Sequence, residues 1–391
     1  MTPTGEGRLV GVDAARCLAL VGMMATHVLP GTTGGEVPLA HQVAGGRASA
    51  LFAVLAGVSL VLLAGRRTPV RGAELTGLLA GTAVRAAWVA LVGLLIGGLP
   101  TGIAVILVNY ALLFLVATPF LALRTWVVAT VAAVWAVAGP VLSLAWRRDL
   151  PLPSYDVPSF ASLEAPVTLL RELVVTGYYP VVTWVPYLLV GIVVGRLDLR
   201  RPRTALALAG LGGWAAFTAW AVSDALVARA GVRAELIATF EGSGWRGDLT
   251  TTLVDGLYGV VPSGSWWWLA VRSPHSGTPF DLLMTVGSAL LVLGCCLLVC
   301  RLAPRVLGVA LGAGAMTLTL YTVHVVLRAE GVWDGDTWGV FVGQVVLVLA
   351  VGAAYRLAGL QGPLELIVGQ TSRGVRRTVT RAAAGPGTGR R

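Results

Sequence analysis

Four histidines are the residues best suited to chemistry in this chain: His27, His41, His275 and His324. Imidazole exchanges a proton near neutral pH and is the commonest general base. Histidines also bind metal, but no pair has the one-turn H-x-x-x-H spacing and no cysteine neighbours them, so a metal site is not expected. Asp13 and Arg16 form a second feature. Their i,i+3 spacing puts both on one face of a helix, inside an apolar run where an unpaired charge is costly. Read blandly, they are an ion pair that docks the helix; read functionally, they line a polar channel. Arg47, Asn109, Tyr178, Tyr179 and Trp184 complete the polar and aromatic residues that an outward-facing site near the histidines would draw on.

The elements carrying these residues are membrane helices. Hydrophobic residues make up 56% of the 391 and charged residues 12%, with a mean hydropathy of +0.80. A soluble chain of this length needs far more charge to cover its surface. Apolar runs of about 17–25 residues, each long enough to cross a bilayer, recur along the chain. Such runs satisfy their backbone groups as helices, which gives an all-α, polytopic transmembrane bundle. About ten spans are expected, near 10–29, 46–64, 76–97, 102–122, 125–146, 176–195, 204–222, 282–300, 305–327 and 338–356. The first is too long and too charged for a signal-peptide core, so it belongs to the bundle.

The net charge is +10, and every basic residue is arginine. Arginines gather in alternate connections: Arg66, Arg67 and Arg71; Arg124; Arg196, Arg200, Arg201 and Arg203; Arg301 and Arg305; and the tail from Arg373. That is the positive-inside pattern, which places both termini in the cytoplasm and removes the reason to invoke nucleic acid. All four histidines then fall toward the outer side. Residues 1–370 read as a single domain with a long outer loop at 224–281, and 371–391 as a disordered basic cytoplasmic tail. Trp266, Trp267 and Trp268 in that loop suit an interfacial aromatic belt, or a stacking platform for a sugar-like ligand. Cys17, Cys295, Cys296 and Cys300 all lie in apolar spans and read as small core residues.

The segment from Arg8 to His27, with Asp13, Arg16 and a polar end, resembles the first helix of transmembrane acyltransferases. One such group is the heparan-α-glucosaminide N-acetyltransferase family with its bacterial relatives; another is the bacterial membrane O-acyltransferases. Both typically begin with Asp-x-x-Arg-Gly, where this chain has Cys17 in place of the glycine. In the O-acyltransferases a histidine stands eleven residues after the arginine, as His27 does here. In the glucosaminide family the catalytic histidine comes later, in the first outer loop, where His41 is the match. Further segments resemble that family in order: Gly45 to Ser59, Thr176 to Trp184 continuing to Arg196, Ala315 to His324, and Gly362 to Glu365.

This resemblance implies an acyltransferase, most simply an acetyltransferase, in the bacterial inner membrane. It would take acetyl-CoA from the cytoplasm and pass the acyl group to an amino or hydroxyl group of a glycan, lipid or metabolite at the outer face. His27 or His41 would be the base or nucleophile. Tyr179, His324 or Asn109 would orient it or stabilise charge, with Asp13, Arg16 and Arg47 supporting the site and cytoplasmic arginines meeting the CoA phosphates. A homodimer is compatible with this reading. The alternative is a transporter or exporter, with Asp13, Arg16, Arg85 and Asn109 lining a substrate path.

Overall fold

The computed structural model of the chain describes residues 8–32, 35–65, 69–245 and 247–384, so Arg66, Arg67 and the final arginines lie outside the described residues. The fold is helical, with no β-strand among the described residues. In chain order the helices are α1 Val10–Val28, α2 Leu39–Ala44, α3 Arg47–Ala64, α4 Ala73–Gly97, α5 Leu107–Ala117, α6 Thr125–Trp146, α7 Pro166–Arg171 and α8 Val181–Gly195. They continue as α9 Pro202–Val227, α10 Ala230–Glu241, α11 Leu249–Asp255, α12 Pro279–Val299, α13 Pro304–Ala310, α14 Thr317–Leu327, α15 Trp338–Leu357 and α16 Pro363–Ala384.

Among the described residues, six helices are long and apolar enough to cross a membrane, or seven if the stretch Pro166–Thr176 and α8, bent by 56°, is one span. The remaining expected spans are built differently. The first, α1, is 19 residues long and carries Asp13, Arg16 and His27. The fourth begins as irregular chain and becomes helical only at Leu107, ending in a 3-10 turn at Ala122. The ninth is broken: α13 stops at Ala310, a 3-10 turn covers Gly312–Ala315, and α14 restarts at Thr317.

α1, α3 and α8 form the centre and are buried on most of their surface. The outer helices α6, α9 and α15 instead turn Trp126, Trp214, Phe217 and Val342 outward. Lipid, unlike water, does not drive such side chains inward, so helices in a bilayer associate mainly through close packing. Glycine supplies that closeness. A Cβ on Gly57 of α3 would lie 2.1 Å from the Leu188 carbonyl, and one on Gly191 of α8 would lie 2.1 Å from the Val54 carbonyl. Gly191→Val is therefore expected to cost about 1–3 kcal/mol by overpacking, read as a lower unfolding midpoint of the detergent-solubilised protein.

Pro186 inside α8 removes the amide that would bond the Val182 carbonyl one turn back. The Trp135 indole of α6 donates to that carbonyl at 2.8 Å, which satisfies the freed group and ties α6 to α8. At the far end of α8, Arg196 donates to the Phe120, Leu121 and Leu123 carbonyls that close the 3-10 turn after α5.

The long connection between α9 and α12 folds on its own small core of Val232, Leu236, Phe240, Leu249 and Leu257 around Trp268, which is fully buried. Trp268 donates from its indole nitrogen to Thr239. Trp266 and Trp267 stay partly exposed, with the Arg148 guanidinium 4.6 Å above the Trp266 ring. Of the three tryptophans, then, one is core and two are surface.

The tail differs from the expectation of disorder from Thr371. Helix α16 continues to Ala384 and packs along α4. Its arginine-rich composition hides an amphipathic pattern that buries Val368, Gly369 and Ser372. Gly77 and Gly81 of α4 receive it, with Arg376 backbone against the first and Ser372 backbone against the second. Arg376 also donates to the Leu63 and Ala64 carbonyls, which end α3 without intrahelical partners.

Candidate active site

His27, near the end of α1, meets His324 of α14: Nδ1 of the first lies 3.2 Å from Nε2 of the second, and the rings stack at 10°. His324 is wholly buried, and its Nδ1 lies 2.8 Å from Oε1 of Gln344 on α15. Gln344 is wholly buried too, and its amide nitrogen donates to the Trp333 carbonyl at 3.3 Å. With both rings neutral, this chain of contacts sets the tautomers. A backbone carbonyl only accepts, so the Gln344 nitrogen must face Trp333 and its oxygen must face His324. His324 then donates from Nδ1 and accepts at Nε2. His27 consequently donates from Nδ1 and keeps a bare lone pair on Nε2, which makes no hydrogen bond among the described residues. A neutral imidazole oriented in this way is a ready base or nucleophile.

A cavity of about 740 Å³ approaches this relay from the arginine-bearing side of the bundle. Its entrance is lined by Arg8, Leu63, Leu197 and Arg200, and its inner end by Met23, Phe52, Ile106, Tyr110 and Tyr321. A second, small cleft of about 20 Å³ touches His27, Thr26, Tyr179 and His275, and shares Met23, Ile106 and Tyr321 with the large cavity. The large cavity thus ends where the surroundings of His27 begin. Among the described residues, the arginines Arg8, Arg16, Arg85 and Arg200 line it alongside the carboxylates Asp13 and Glu365. Those carboxylates are committed. Asp13 pairs with Arg8 and, at 3.1 Å, with Arg16. Glu365 accepts from the amides of Leu318 and Thr319 and from the Thr319 hydroxyl, capping the restart of the broken span at α14. Among its described residues the wall carries more basic than acidic groups, which favours an anionic ligand.

The other residues singled out from the sequence fall into three groups. Arg16 lies in the cavity wall, with its second guanidinium nitrogen on the Ser59 hydroxyl at 2.6 Å. Asn109 and Tyr179 are committed to backbone: the Asn109 amide donates to the Tyr179 carbonyl at 3.0 Å, and the Tyr179 hydroxyl to the Ala104 carbonyl at 3.2 Å. They fix the turn before α8, although the Tyr179 ring also lines the small cleft. His41 and Arg47 stand apart from both cavities. His41 is half-buried on the short α2 with Nε2 at 3.4 Å from the Leu29 carbonyl, and Arg47 donates to the Gln42 and Val43 carbonyls.

Gln344, Tyr110 and Tyr321 were not singled out from the sequence. Gln344 carried one signal, being a lone amide in an apolar run, where a polar group needs a reason. His275 lies between α11 and α12, outside the spans. Its Nε2 accepts the Gly46 amide at 3.1 Å, so its ring is neutral, and burial pushes its imidazole down to about 4. No group of three or more histidine, cysteine or carboxylate side chains among the described residues is arranged to hold a metal.

A multi-pass helical bundle with a buried histidine relay beside a basic cavity defines a membrane protein with a polar site inside the bundle. Residues 8–224, more than half of the chain, match the family described as heparan-alpha-glucosaminide N-acetyltransferase, catalytic, and the chain belongs to that family. His27 lies within the matched part; His275, His324 and Gln344 lie beyond it. No curated protein matches the chain significantly.

Proposed function

We propose that the protein moves an acyl group, most simply acetyl, from acyl-CoA in the cytoplasm to an amino or hydroxyl group presented at the outer face. The observation that carries this reading is the 740 Å³ cavity, which opens among arginines and ends beside His27. Its size suits a ligand of cofactor dimensions, and its arginines suit phosphate. In this reading the chain crosses the bacterial inner membrane ten times. α1, α5 and the broken α13–α14 add to the longer helices, and both termini lie on the arginine-bearing side.

The chemistry follows from the relay. The acceptor nitrogen or oxygen attacks the thioester carbonyl as His27 Nε2 takes its proton, and the CoA thiolate leaves toward the cytoplasm. His27 would serve equally as a transient acyl carrier, since the same lone pair is the nucleophile. The charge arriving on His27 is shared with His324, whose position Gln344 holds. Tyr321, on the wall of both cavities, is the candidate donor to the developing oxyanion. The acceptor is a glycan, lipid or metabolite. Asn109 and Tyr179 support the site through the backbone, Arg47 through the end of α2, and Asp13 with Arg16 through the cavity wall. His41 is not the base in this reading.

Broken helices are also a device of transporters, and α13–α14 is broken. Donor dependence separates the two readings. Calorimetry with acetyl-CoA should show binding in the micromolar range that Arg16→Ala weakens about tenfold, the loss of one charge-assisted contact. Folded protein that ignores acetyl-CoA while moving a solute across vesicles would replace the transferase with a transporter.

A further inference from the structure

The cleft beside His27 holds about 20 Å³, room for a single water. What closes it on the side away from the large cavity is the His275 ring. The ring stacks on Tyr258 with centroids 5.9 Å apart at 15°, and on Trp184 at 6.5 Å and 20°, with the Tyr179 edge at 5.8 Å. Tyr258 is 39% exposed, so this stack is the layer between His27 and the outer surface.

The stack is held by backbone. His275 has φ of +57° and Tyr258 has φ of +44°; with Tyr155, which neighbours them through Tyr178, they are the non-glycine residues with positive φ among the described residues. Gly46, itself at φ +68°, donates its amide to the imidazole. Leu257 donates to the Pro274 carbonyl at 2.9 Å and Gly259 to the His275 carbonyl. A Cβ on Gly259 would meet the Gly177 carbonyl at 2.1 Å. Behind the segment, the buried Asp281 carboxylate accepts the Gly277 amide at 2.9 Å. The imidazole is therefore wedged between the start of α3, the turn before α8 and the start of α12.

We propose that His275 is a positioning residue that seals the His27 cleft from the outer face. It thereby keeps bulk water at the outer face away from the base and leaves the acyl group to the acceptor. The inference rests on the transferase reading for its purpose, though not for its geometry. A base that activates an acceptor hydroxyl also activates water, and hydrolysis is the side reaction that a closed site prevents. An acceptor must displace the ring, and the glycines at 46, 256, 259 and 277, all at positive φ, are where the backbone can give.

The test uses full-length protein with Cys17, Cys295, Cys296 and Cys300 replaced by alanine and Thr26→Cys added in the cleft wall. Labelling by a membrane-impermeant maleimide from the face away from the arginine-rich loops is followed alongside acceptor-independent release of CoA from acetyl-CoA. With His275 intact, labelling should be slow. His275→Ala should speed it about tenfold or more and raise acceptor-independent CoA release by a similar factor. His27→Ala in the same chain should abolish that release. His275→Phe, which keeps the stacked ring, should label slowly. Should His275→Ala fail to elute as a folded species, Tyr258→Ala should still speed labelling by removing the outer half of the stack. Labelling that neither His275→Ala nor Tyr258→Ala changes overturns the proposal, whatever happens to CoA. Faster labelling with no thioester turnover in any variant upholds the seal and removes the transferase reading instead.

Discussion

Replacing His27 with alanine is expected to lower acyl transfer about a thousandfold while acetyl-CoA affinity stays within about twofold, the signature of a lost base rather than lost binding. The expectation follows from the one lone pair that the relay leaves unused. Nδ1 of His27 is spent on His324, so Nε2 is the basic atom left on a ring that lines the small cleft. His41→Ala serves as the contrasting variant. Its imidazole has the Leu29 carbonyl as its hydrogen-bond partner among the described residues and lines neither cavity, so its loss should change the rate by less than about threefold. CoA release in the presence of an acceptor, measured with calorimetric acetyl-CoA affinity for each variant, separates the two histidines. Equal losses in both, or a loss confined to His41→Ala, would move the chemistry from the end of α1 to the first outer loop.

The contrast also bears on what was legible in the sequence. Membrane class and most span positions follow from hydropathy, because long apolar runs have one stable form in lipid. The break between α13 and α14 does not, since Gly312 to Met316 is as apolar as its flanks. The break exists because Gly314 lies against the backbone of Asp13 and Cys17, closer than any Cβ allows, and Glu365 caps the restart from a different helix. These are tertiary causes. The tail misled for a related reason: its arginines suggest solvent, and only the glycines of α4 show where a helix can dock.

The site was legible in the same uneven way. Spacing along one helix pointed to Asp13, Arg16 and His27, which lie on or beside the cavity wall. Residues that act across helices were not accessible to spacing. His27 and His324 are 297 positions apart, and Asn109 serves a backbone carbonyl 70 positions away. Chemical type alone does not separate Asn109, which braces a turn, from Gln344, which sets a tautomer.

That distinction yields the second large expected effect. Gln344→Leu should lower transfer about 10- to 100-fold, by analogy with the loss of a partner that orients a metal-bound imidazole. Leucine matches the amide in bulk but offers no acceptor, so His324 no longer has a reason to hold its proton on Nδ1 and its lone pair toward His27. Gln344→Glu keeps an oxygen at the same reach from His324, 2.8 Å in the native protein, and should restore most of the rate. It should also shift the acid limb of the pH–rate profile upward, because a carboxylate stabilises the protonated relay. A purely structural glutamine predicts otherwise. It would be replaced better by leucine than by glutamate in this buried place, because burying a carboxylate costs more than burying an alkyl group. The two variants, compared in transfer rate, pH profile and thermal midpoint, thus separate a residue that sets the protonation of His27 from one that only fills space.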